Sequence, residues 1–200
     1  MRNDNRPVDQ WHLDSVPYVL VLLLSDSRDL VGGKLMVALL GDPCETIDKI
    51  NLGLISPEDI EEVEYPGAGY AIFMQGSKIA HAVSAVTAAR EPRMTVVNSY
   101  QSLNPFSSDR TIFSTFNHLE GKRAQYEFAR HVGWRVRGQL DYLVEAAPDD
   151  PAAAAKLLEK AAAELARASD FVNGKSTDRL PYKRKDELEN KAAKGPRSRL

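Results

Sequence analysis

Residues 16–24 read VPYVLVLLL, and residues 34–40 read KLMVALL. Each is a short run of apolar residues that ends in turn-forming residues, SDSRD after the first run and Gly41-Asp42-Pro43 after the second. Short apolar runs between turn signals are typical of β-strands in a protein core. The first run predicts a strand that is buried on both faces, and the two runs together predict a sheet.

Three more β-like segments follow closely on one another and read GYAIFMQG, SKIAHAVSAV and RMTVVNSY. In the second segment, Ile79, His81 and Val83 fall on one face of an extended chain, because side chains alternate with period two. Residues 42–66 are more acidic and less periodic, and we interpret them as an excursion between strands, with a helix start at Ser56. The first half of the chain therefore predicts a β core.

The last third of the chain has a helical pattern instead. Residues 120–144 place apolar side chains at helical spacing and contain no proline. Residues 149–172 are rich in alanine and begin with Asp149 or Asp150 as helix cap, before Pro151. We therefore expect a mainly β chain with a helical C-terminal third.

The predicted organisation is a β core over residues 1–118, a helical extension over residues 119–173, and a charged, flexible tail over residues 174–200. The 43% hydrophobic content is enough for one main core. The formal net charge of -2 provides no basic field, so neither nucleic acid nor an anionic membrane is an expected partner. The single cysteine, Cys44, excludes an internal disulfide and favours a reducing, intracellular compartment.

Three residues suggest a metal site. His12 and Asp14 lie two residues apart, so extended backbone directs both side chains to the same side. His81, on a later predicted strand, offers the third ligand. Two histidines and one carboxylate form the facial set of non-haem iron, which leaves adjacent positions open for a bidentate 2-oxo acid and for O2.

Such a 2-oxo acid also needs an anchor for its far carboxylate. A guanidinium suits this role, because its planar fork meets a carboxylate with two parallel hydrogen bonds. Arg93 stands on the strand after that of His81, with Thr95 on the same face. Arg90 is the competing anchor. The residues alone leave Arg93 and Arg90 as alternatives.

The stretches WHLDSVPYVLVLLLSDSRDLVGGKL, GYAIFMQGSKIAHAV and REPRMTVVNSY resemble the core of the 2-oxoglutarate/Fe(II)-dependent dioxygenases, especially a fungal group. The resemblance covers about residues 10–106, roughly half of the chain. Where that group has Gly-Gly-Glu, this chain has Gly32-Gly33-Lys34, so the role of the acidic residue is altered.

This resemblance implies a double-stranded β-helix, or jelly roll, with Fe(II) bound by His12, Asp14 and His81. It implies that Arg93 anchors 2-oxoglutarate with Thr95 beside it. The expected reaction is the hydroxylation of an organic substrate, a small molecule or a protein, by O2 with release of succinate and CO2. The alternative is a cupin-like or truncated β-helix that serves as a non-catalytic binding or scaffold protein.

The position of the first motif raises a further expectation. Only eleven residues precede His12, fewer than the family has before this motif. We therefore expect either an incomplete jelly roll or one that other elements or a partner complete.

The C-terminus ends in Ser198-Arg199-Leu200, a close variant of the tripeptide that the peroxisomal import receptor reads. This ending makes the import receptor a candidate partner. We therefore expect either a cytoplasmic or a peroxisomal location.

Overall fold

A computed structural model describes residues 6–112, 121–145, 150–175 and 181–182. The chain forms two compact units, Met1–Gln101 with Leu180–Leu200, and Ser102–Arg179. About 36% of the chain is helix and about 22% is strand in antiparallel sheets, with the long helices in the C-terminal third. The expectation of a mainly β chain was therefore wrong, since the structure is mixed. The three domain ranges drawn from the sequence stay predictions.

Unit 1, which comprises Met1–Gln101 and Leu180–Leu200, contains all the strands that the described residues form. They are β1 (Asp9–His12), β2 (Tyr18–Leu23), β3 (Val31–Gly32), β4 (Leu35–Ala38), β5 (Glu61–Val63), β6 (Ala71–Met74), β7 (Ala80–Val83), β8 (Val86–Ala88) and β9 (Thr95–Tyr100). They form a four-stranded sheet in the order β1-β7-β4-β5, a three-stranded sheet in the order β6-β2-β9 and a short β3-β8 ribbon. Every pairing is antiparallel.

The core of this unit lies against alternate residues of β2. Val19 and Leu23 are almost fully buried, whereas Leu20 and Leu22 on the opposite face are only partly buried. The prediction that this strand is buried on both faces was therefore wrong. Val19 packs with residues of β4 and β6 in one cluster, and this cluster forms a wall of the site described below. The members of the cluster are Val19, Leu35, Val37 and Met74.

The excursion between β4 and β6 contains more structure than the sequence suggested. Asp42 caps α1 (Pro43–Asn51) by accepting hydrogen bonds from the backbone N–H groups of Cys44 and Glu45. A short 3₁₀ helix, Pro57–Asp59, follows Ser56, and β5 then pairs with β4. Because β5 pairs with β4, the segment that follows β5 lies beside the candidate site described below.

Tyr182 also belongs to unit 1. Its hydroxyl accepts a hydrogen bond from the backbone N–H of Leu13, and its side chain packs beside Ile47. This contact was not predicted from the sequence. Residues 198–200, which carry the candidate import signal, lie outside the described residues, so that signal stays a prediction.

Unit 2, Ser102–Arg179, is a pair of long helices with the loop that precedes them. These are α2 (Lys122–Glu145) and α3 (Pro151–Val172), close to the predicted ranges. Asp150, one of the two predicted caps, accepts a hydrogen bond from the backbone N–H of Ala152. No described helix has the length and apolar character needed to cross a membrane.

A polar network joins the two helices at a buried position. The Arg135 guanidinium donates from Nε to Glu164 Oε2 at 3.0 Å, and the Gln139 amide donates to Glu164 Oε1 at 3.1 Å. Arg135 and Gln139 are almost fully buried. Burial raises the pKa of Glu164, but the hydrogen bonds from Arg135 and Gln139 outweigh it, so the pKa is lowered overall. Because a buried guanidinium needs a charged partner, this carboxylate stabilises the helix pair.

The Glu164→Gln variant is expected to lose about 2 kcal/mol of stability, since a neutral amide leaves the Arg135 charge without a counter-ion. Urea unfolding followed by circular dichroism measures the loss. The matched control is Glu159→Gln on the exposed face of the same helix, which should change stability by less than about 0.5 kcal/mol. Equal effects of the two variants would contradict a structural role for this carboxylate.

Candidate metal centre

The structure brings His12, Asp14 and His81 together at the end of the four-stranded sheet. His12 ends β1 and lies opposite His81 of β7 in the antiparallel register. Asp14 Oδ1 lies 3.4 Å from Nε2 of His12 and 3.6 Å from Nε2 of His81. One candidate ligand atom from each residue lies within 4.8 Å of the other two, which is the spacing of groups that hold one metal ion.

The backbone orients both imidazole rings. His12 Nδ1 lies 2.7 Å from the Gln10 carbonyl oxygen, and His81 Nδ1 lies 2.8 Å from the Ile79 carbonyl oxygen. Because a carbonyl oxygen only accepts hydrogen bonds, Nδ1 must carry the proton in both rings. Nε2 of each ring is then the atom that faces Asp14: it donates to the carboxylate when the ring is doubly protonated, and it offers its lone pair to a metal when the ring is neutral.

The three side chains also interact electrostatically. Burial raises the pKa of Asp14, but hydrogen bonds from His12 and His81 outweigh it and lower the pKa well below its usual range. Burial likewise lowers the pKa of His12, and the Asp14 hydrogen bond, with the nearby Asp9 charge, raises it overall. Asp14 is therefore a carboxylate at neutral pH, the form that binds a cation.

Gly76 fixes the position of Asp14. The Asp14 backbone N–H donates to the Gly76 carbonyl oxygen at 2.9 Å. A Cβ atom on residue 76 would lie 1.7 Å from Asp14 Oδ2, so only glycine leaves room for this carboxylate. Asp14 Oδ2 is buried and has no hydrogen-bond partner among the described residues. An unsatisfied buried carboxylate oxygen is costly, and a cation bound to the other oxygen of the same carboxylate, Oδ1, would offset part of that cost.

A cavity of about 170 Å³ opens beside the three candidate ligands. One wall is apolar and is formed by side chains of β2, β4, β6, β7 and β9. Arg93 and Thr95, the two residues predicted to hold a 2-oxo acid, line the same cavity. The aliphatic and Met side chains that line it are Val8, Val19, Val21, Leu35, Met74, Val83 and Val97.

Arg93 lines this cavity without an ion-pair partner among the described residues. Its Nε is buried and has no hydrogen-bond partner in the described part of the chain, and no carboxylate there forms an ion pair with it. Burial lowers the pKa of Arg93, which a nearby anion would reverse. Gly33 makes room for the side chain, since a Cβ on residue 33 would lie 2.8 Å from Arg93 Cδ.

The competing anchor, Arg90, lies elsewhere. It is exposed and lines a different, polar surface pocket with Asp26 and Arg28. The arginine that shares a cavity with the three candidate ligands is therefore Arg93.

Lys34, at the position for which the resemblance leads us to expect glutamate, is not among the residues that line the cavity. Its Nζ lies 2.9 Å from Glu62 Oε2 and 2.9 Å from Glu64 Oε1. These two ion pairs therefore connect the residue before β4 with β5 and the residue that follows β5.

Sequence reasoning missed two residues that line the cavity. Tyr65 follows β5, and the positive charge of Arg93 interacts electrostatically with its hydroxyl group. Asp9, at the start of β1, has its Oδ2 3.7 Å from His12 Nε2. No signal in the sequence singles out Tyr65, because its place depends on the pairing of β5 with β4. Asp9 could have been found from its spacing of three residues from His12.

Comparison with protein-family models, with curated proteins and with solved structures finds no match to this chain.

Proposed function

We propose that this chain is an Fe(II)- and 2-oxoglutarate-dependent dioxygenase that hydroxylates an organic substrate. One observation carries the proposal. A single cavity contains two histidines and a carboxylate whose candidate ligand atoms lie within 4.8 Å of one another, together with a guanidinium that has no carboxylate partner among the described residues. The first group suits a metal, and the second suits the anionic end of a ligand that reaches the metal.

The donor set supports Fe(II) as the metal. Two neutral imidazoles and one carboxylate on one side of a cation leave its remaining positions open, which is the arrangement of non-haem iron oxygenases. Nε2 of His12, Nε2 of His81 and Oδ1 of Asp14 would hold the ion. The Gln10 and Ile79 carbonyl groups would keep both rings in the binding tautomer.

The cavity wall supports a 2-oxo dicarboxylic acid as the cosubstrate. Arg93 offers a fork of donors to the far carboxylate, and Thr95 lines the same cavity with its hydroxyl group. The apolar wall along Val19, Leu35 and Val83 suits the two methylene groups between the carboxylate and the 2-oxo group, and it excludes water from them.

Bound at this site, Fe(II) and 2-oxoglutarate supply the means to activate O2. One oxygen atom then enters a substrate C–H bond to give a hydroxyl group, and the other enters succinate as 2-oxoglutarate loses CO2. The residues of the chain act by positioning. Asp14 is ionised, the Nδ1 contacts of His12 and His81 leave Nε2 of each ring to face the metal, and Arg93 would hold the far carboxylate of the cosubstrate.

We also infer that the sheets of unit 1 form a jelly roll with one strand fewer than the usual eight. A jelly roll consists of two antiparallel sheets of four strands. Here one sheet has four strands and the other three, and β1 with β7, β2 with β6, and β4 with β5 form nested pairs. β9 pairs only with β2, so its other edge is free in the described residues. The count covers these two sheets and leaves out the short β3-β8 ribbon, and the incomplete jelly roll stays a proposal.

The alternative is a cupin-like protein that binds a metal at the same three residues without oxygen chemistry. A cupin has no need of a buried guanidinium in the metal cavity, so Arg93 favours the dioxygenase. Only the dioxygenase should bind 2-oxoglutarate.

The test uses the full chain loaded with Fe(II) without oxygen, and then with air. We expect 2-oxoglutarate to raise the melting temperature of the parent chain, and Arg93→Met to weaken its binding by about 100-fold, because a buried charge-assisted bidentate contact is lost. The matched control, Arg90→Met, removes a guanidinium outside the cavity and should bind within about threefold of the parent.

With air, the parent chain should convert 2-oxoglutarate to succinate, which is measured by chromatography. Stabilisation by Fe(II) but not by 2-oxoglutarate would favour the cupin-like alternative. Equal losses in Arg93→Met and Arg90→Met would remove the reason for assigning Arg93 as the anchor.

A further inference from the structure

A buried cluster in unit 1 contains direct chain neighbours of all three candidate ligands. Its buried members are Leu13, Ile47, Ala80 and Tyr182. Leu13 stands between His12 and Asp14 in the chain, and Ala80 directly precedes His81 in β7. None of the four cluster residues is among those that line the cavity. The cluster therefore supports the backbone that carries the candidate ligands and does not supply ligand atoms.

Tyr182 holds the backbone between two of these ligands. The N–H of Leu13 donates to the Tyr182 hydroxyl group at 3.1 Å, and this hydrogen bond is buried. The next N–H, that of Asp14, donates to the Gly76 carbonyl oxygen at 2.9 Å. Two successive N–H groups of the ligand-bearing segment are thus held from different parts of the chain. Since Tyr182 lies 169 residues after Leu13, the first contact forms only when the C-terminal segment docks in the cluster.

Water is a poor substitute for the Tyr182 hydroxyl group. The Tyr182 residue is only 5% exposed, and a buried N–H that loses its acceptor is costly. Without the hydroxyl group, the backbone at Leu13 would shift to find another partner, and this backbone joins His12 to Asp14. A metal site tolerates ligand distances only within about 0.2 Å, so such a shift would weaken metal binding.

We propose that Tyr182 is a positioning residue of the metal centre, and that metal binding and docking of the C-terminal segment at Tyr182 stabilise each other. This inference rests on the metal site of the proposed function. Coupling between two binding events is reciprocal: if docked Tyr182 raises the metal affinity, bound metal favours docking by the same factor. Release of this segment from the cluster would therefore lower the metal occupancy of the cavity.

The first test compares Tyr182→Phe with Tyr70→Phe in the full chain, by calorimetric titration with Mn(II). Tyr182→Phe keeps the ring in the cluster and removes only the hydroxyl group. Tyr70 is an exposed tyrosine of the same unit, so its variant loses the same group elsewhere. We expect Tyr182→Phe to bind Mn(II) about tenfold more weakly, and Tyr70→Phe to bind it as the parent chain does. A purely structural role of Tyr182 would lower the melting temperature and leave the Mn(II) affinity unchanged.

The second test measures the reciprocal effect with trypsin. Lys183 follows Tyr182 directly, so cleavage after Lys183 requires that Tyr182 leave the cluster. We expect saturating Mn(II) to slow this cleavage at least about threefold in the parent chain, measured by mass spectrometry of the fragment 1–183. In His81→Ala, which lacks one candidate ligand, Mn(II) should not change the cleavage rate.

The outcomes separate this inference from the proposed function. If the parent chain did not bind Mn(II), the proposed function would fail, and the role of Tyr182 would fail with it. If the parent bound Mn(II) and Tyr182→Phe bound it equally tightly, the dioxygenase proposal would stand and the positioning role of Tyr182 would be wrong. Cleavage after Lys183 that Mn(II) left unchanged in the parent would contradict the coupling, even if Tyr182→Phe failed to fold.

Discussion

The His81→Ala variant is expected to lose divalent-metal binding, with an affinity for Fe(II) or Mn(II) at least about 100-fold below that of the parent chain. His81 supplies one of two imidazoles in a three-residue site, and its side chain is only 4% exposed, so water cannot easily take its place in an oriented way. The remaining pair, His12 and Asp14, would hold a cation by two contacts only. Calorimetric titration with Mn(II) measures the loss directly.

A second readout separates lost metal binding from lost packing. Removing a buried ring leaves a cavity, so the metal-free variant should itself be less stable. The decisive quantity is therefore the rise in melting temperature that the metal causes in each variant. Asp9→Asn is the matched control, because Asp9 lies near His12 but is not one of the three candidate ligands, and it should keep the rise. If His81→Ala kept the full rise, the metal would bind elsewhere.

The His81→Ala variant also tests whether the cosubstrate binds through the metal. Because 2-oxoglutarate is proposed to bind through the metal as well as through Arg93, His81→Ala should also lose stabilisation by 2-oxoglutarate and succinate formation. Arg93→Met should keep the rise in melting temperature that the metal causes. The two variants thus distinguish the metal-binding end of the cavity from the end that would bind the far carboxylate.

The candidate ligands were accessible to sequence reasoning because local geometry determines much of their arrangement. The spacing of His12 and Asp14 by two residues puts both on one side of a strand end, and the period of two around His81 turns it to the face of Ile79 and Val83. The structure adds what spacing alone does not contain. The pairing of β1 with β7 brings His12 opposite His81.

The end of the cavity that would bind the far carboxylate was harder to predict, because long-range strand pairing brings its residues together. Arg93 and Thr95 were chosen from their place on a strand and from a resemblance, and they do line the cavity with the candidate ligands. Tyr65 belongs to a segment without clear periodicity. Its position follows from the pairing of β5 with β4, between residues that are far apart in the sequence, and no local pattern encodes that pairing.

The missed helix α1 has a different cause. Gly41-Asp42-Pro43 is a turn signal, but Asp-Pro is equally the start signal of a helix, as at Asp150-Pro151. The alanine-rich sequence after Pro151 resolves the ambiguity, whereas the sequence after Pro43 does not. Because α1 was not predicted, the expected helix content was too low. This omission contributed to the expectation of a mainly β chain, whereas the structure is mixed.

The Gly76→Ala variant is expected to lose metal binding almost as completely as His81→Ala, although residue 76 is no ligand. The added Cβ would lie 1.7 Å from Oδ2 of Asp14 and 2.8 Å from its Cβ. Rotation of the Asp14 side chain can relieve the first contact but not the second, so the backbone of one of the two segments must move. The hydrogen bond from Asp14 N–H to the Gly76 carbonyl oxygen couples the two segments, so the carboxylate would leave the two histidines.

We expect this variant to bind Mn(II) at least about 100-fold more weakly and to lose about 1–3 kcal/mol of stability in the metal-free form, because the site has no space for an extra methyl group. Gly67→Ala is the matched control, since nothing lies within 4 Å of a Cβ there and its backbone requires no left-handed conformation. That variant should keep both metal binding and stability. If Gly76→Ala bound Mn(II) as tightly as Gly67→Ala, Asp14 would have another way to reach the metal, and the close approach to Gly76 would not be what positions it.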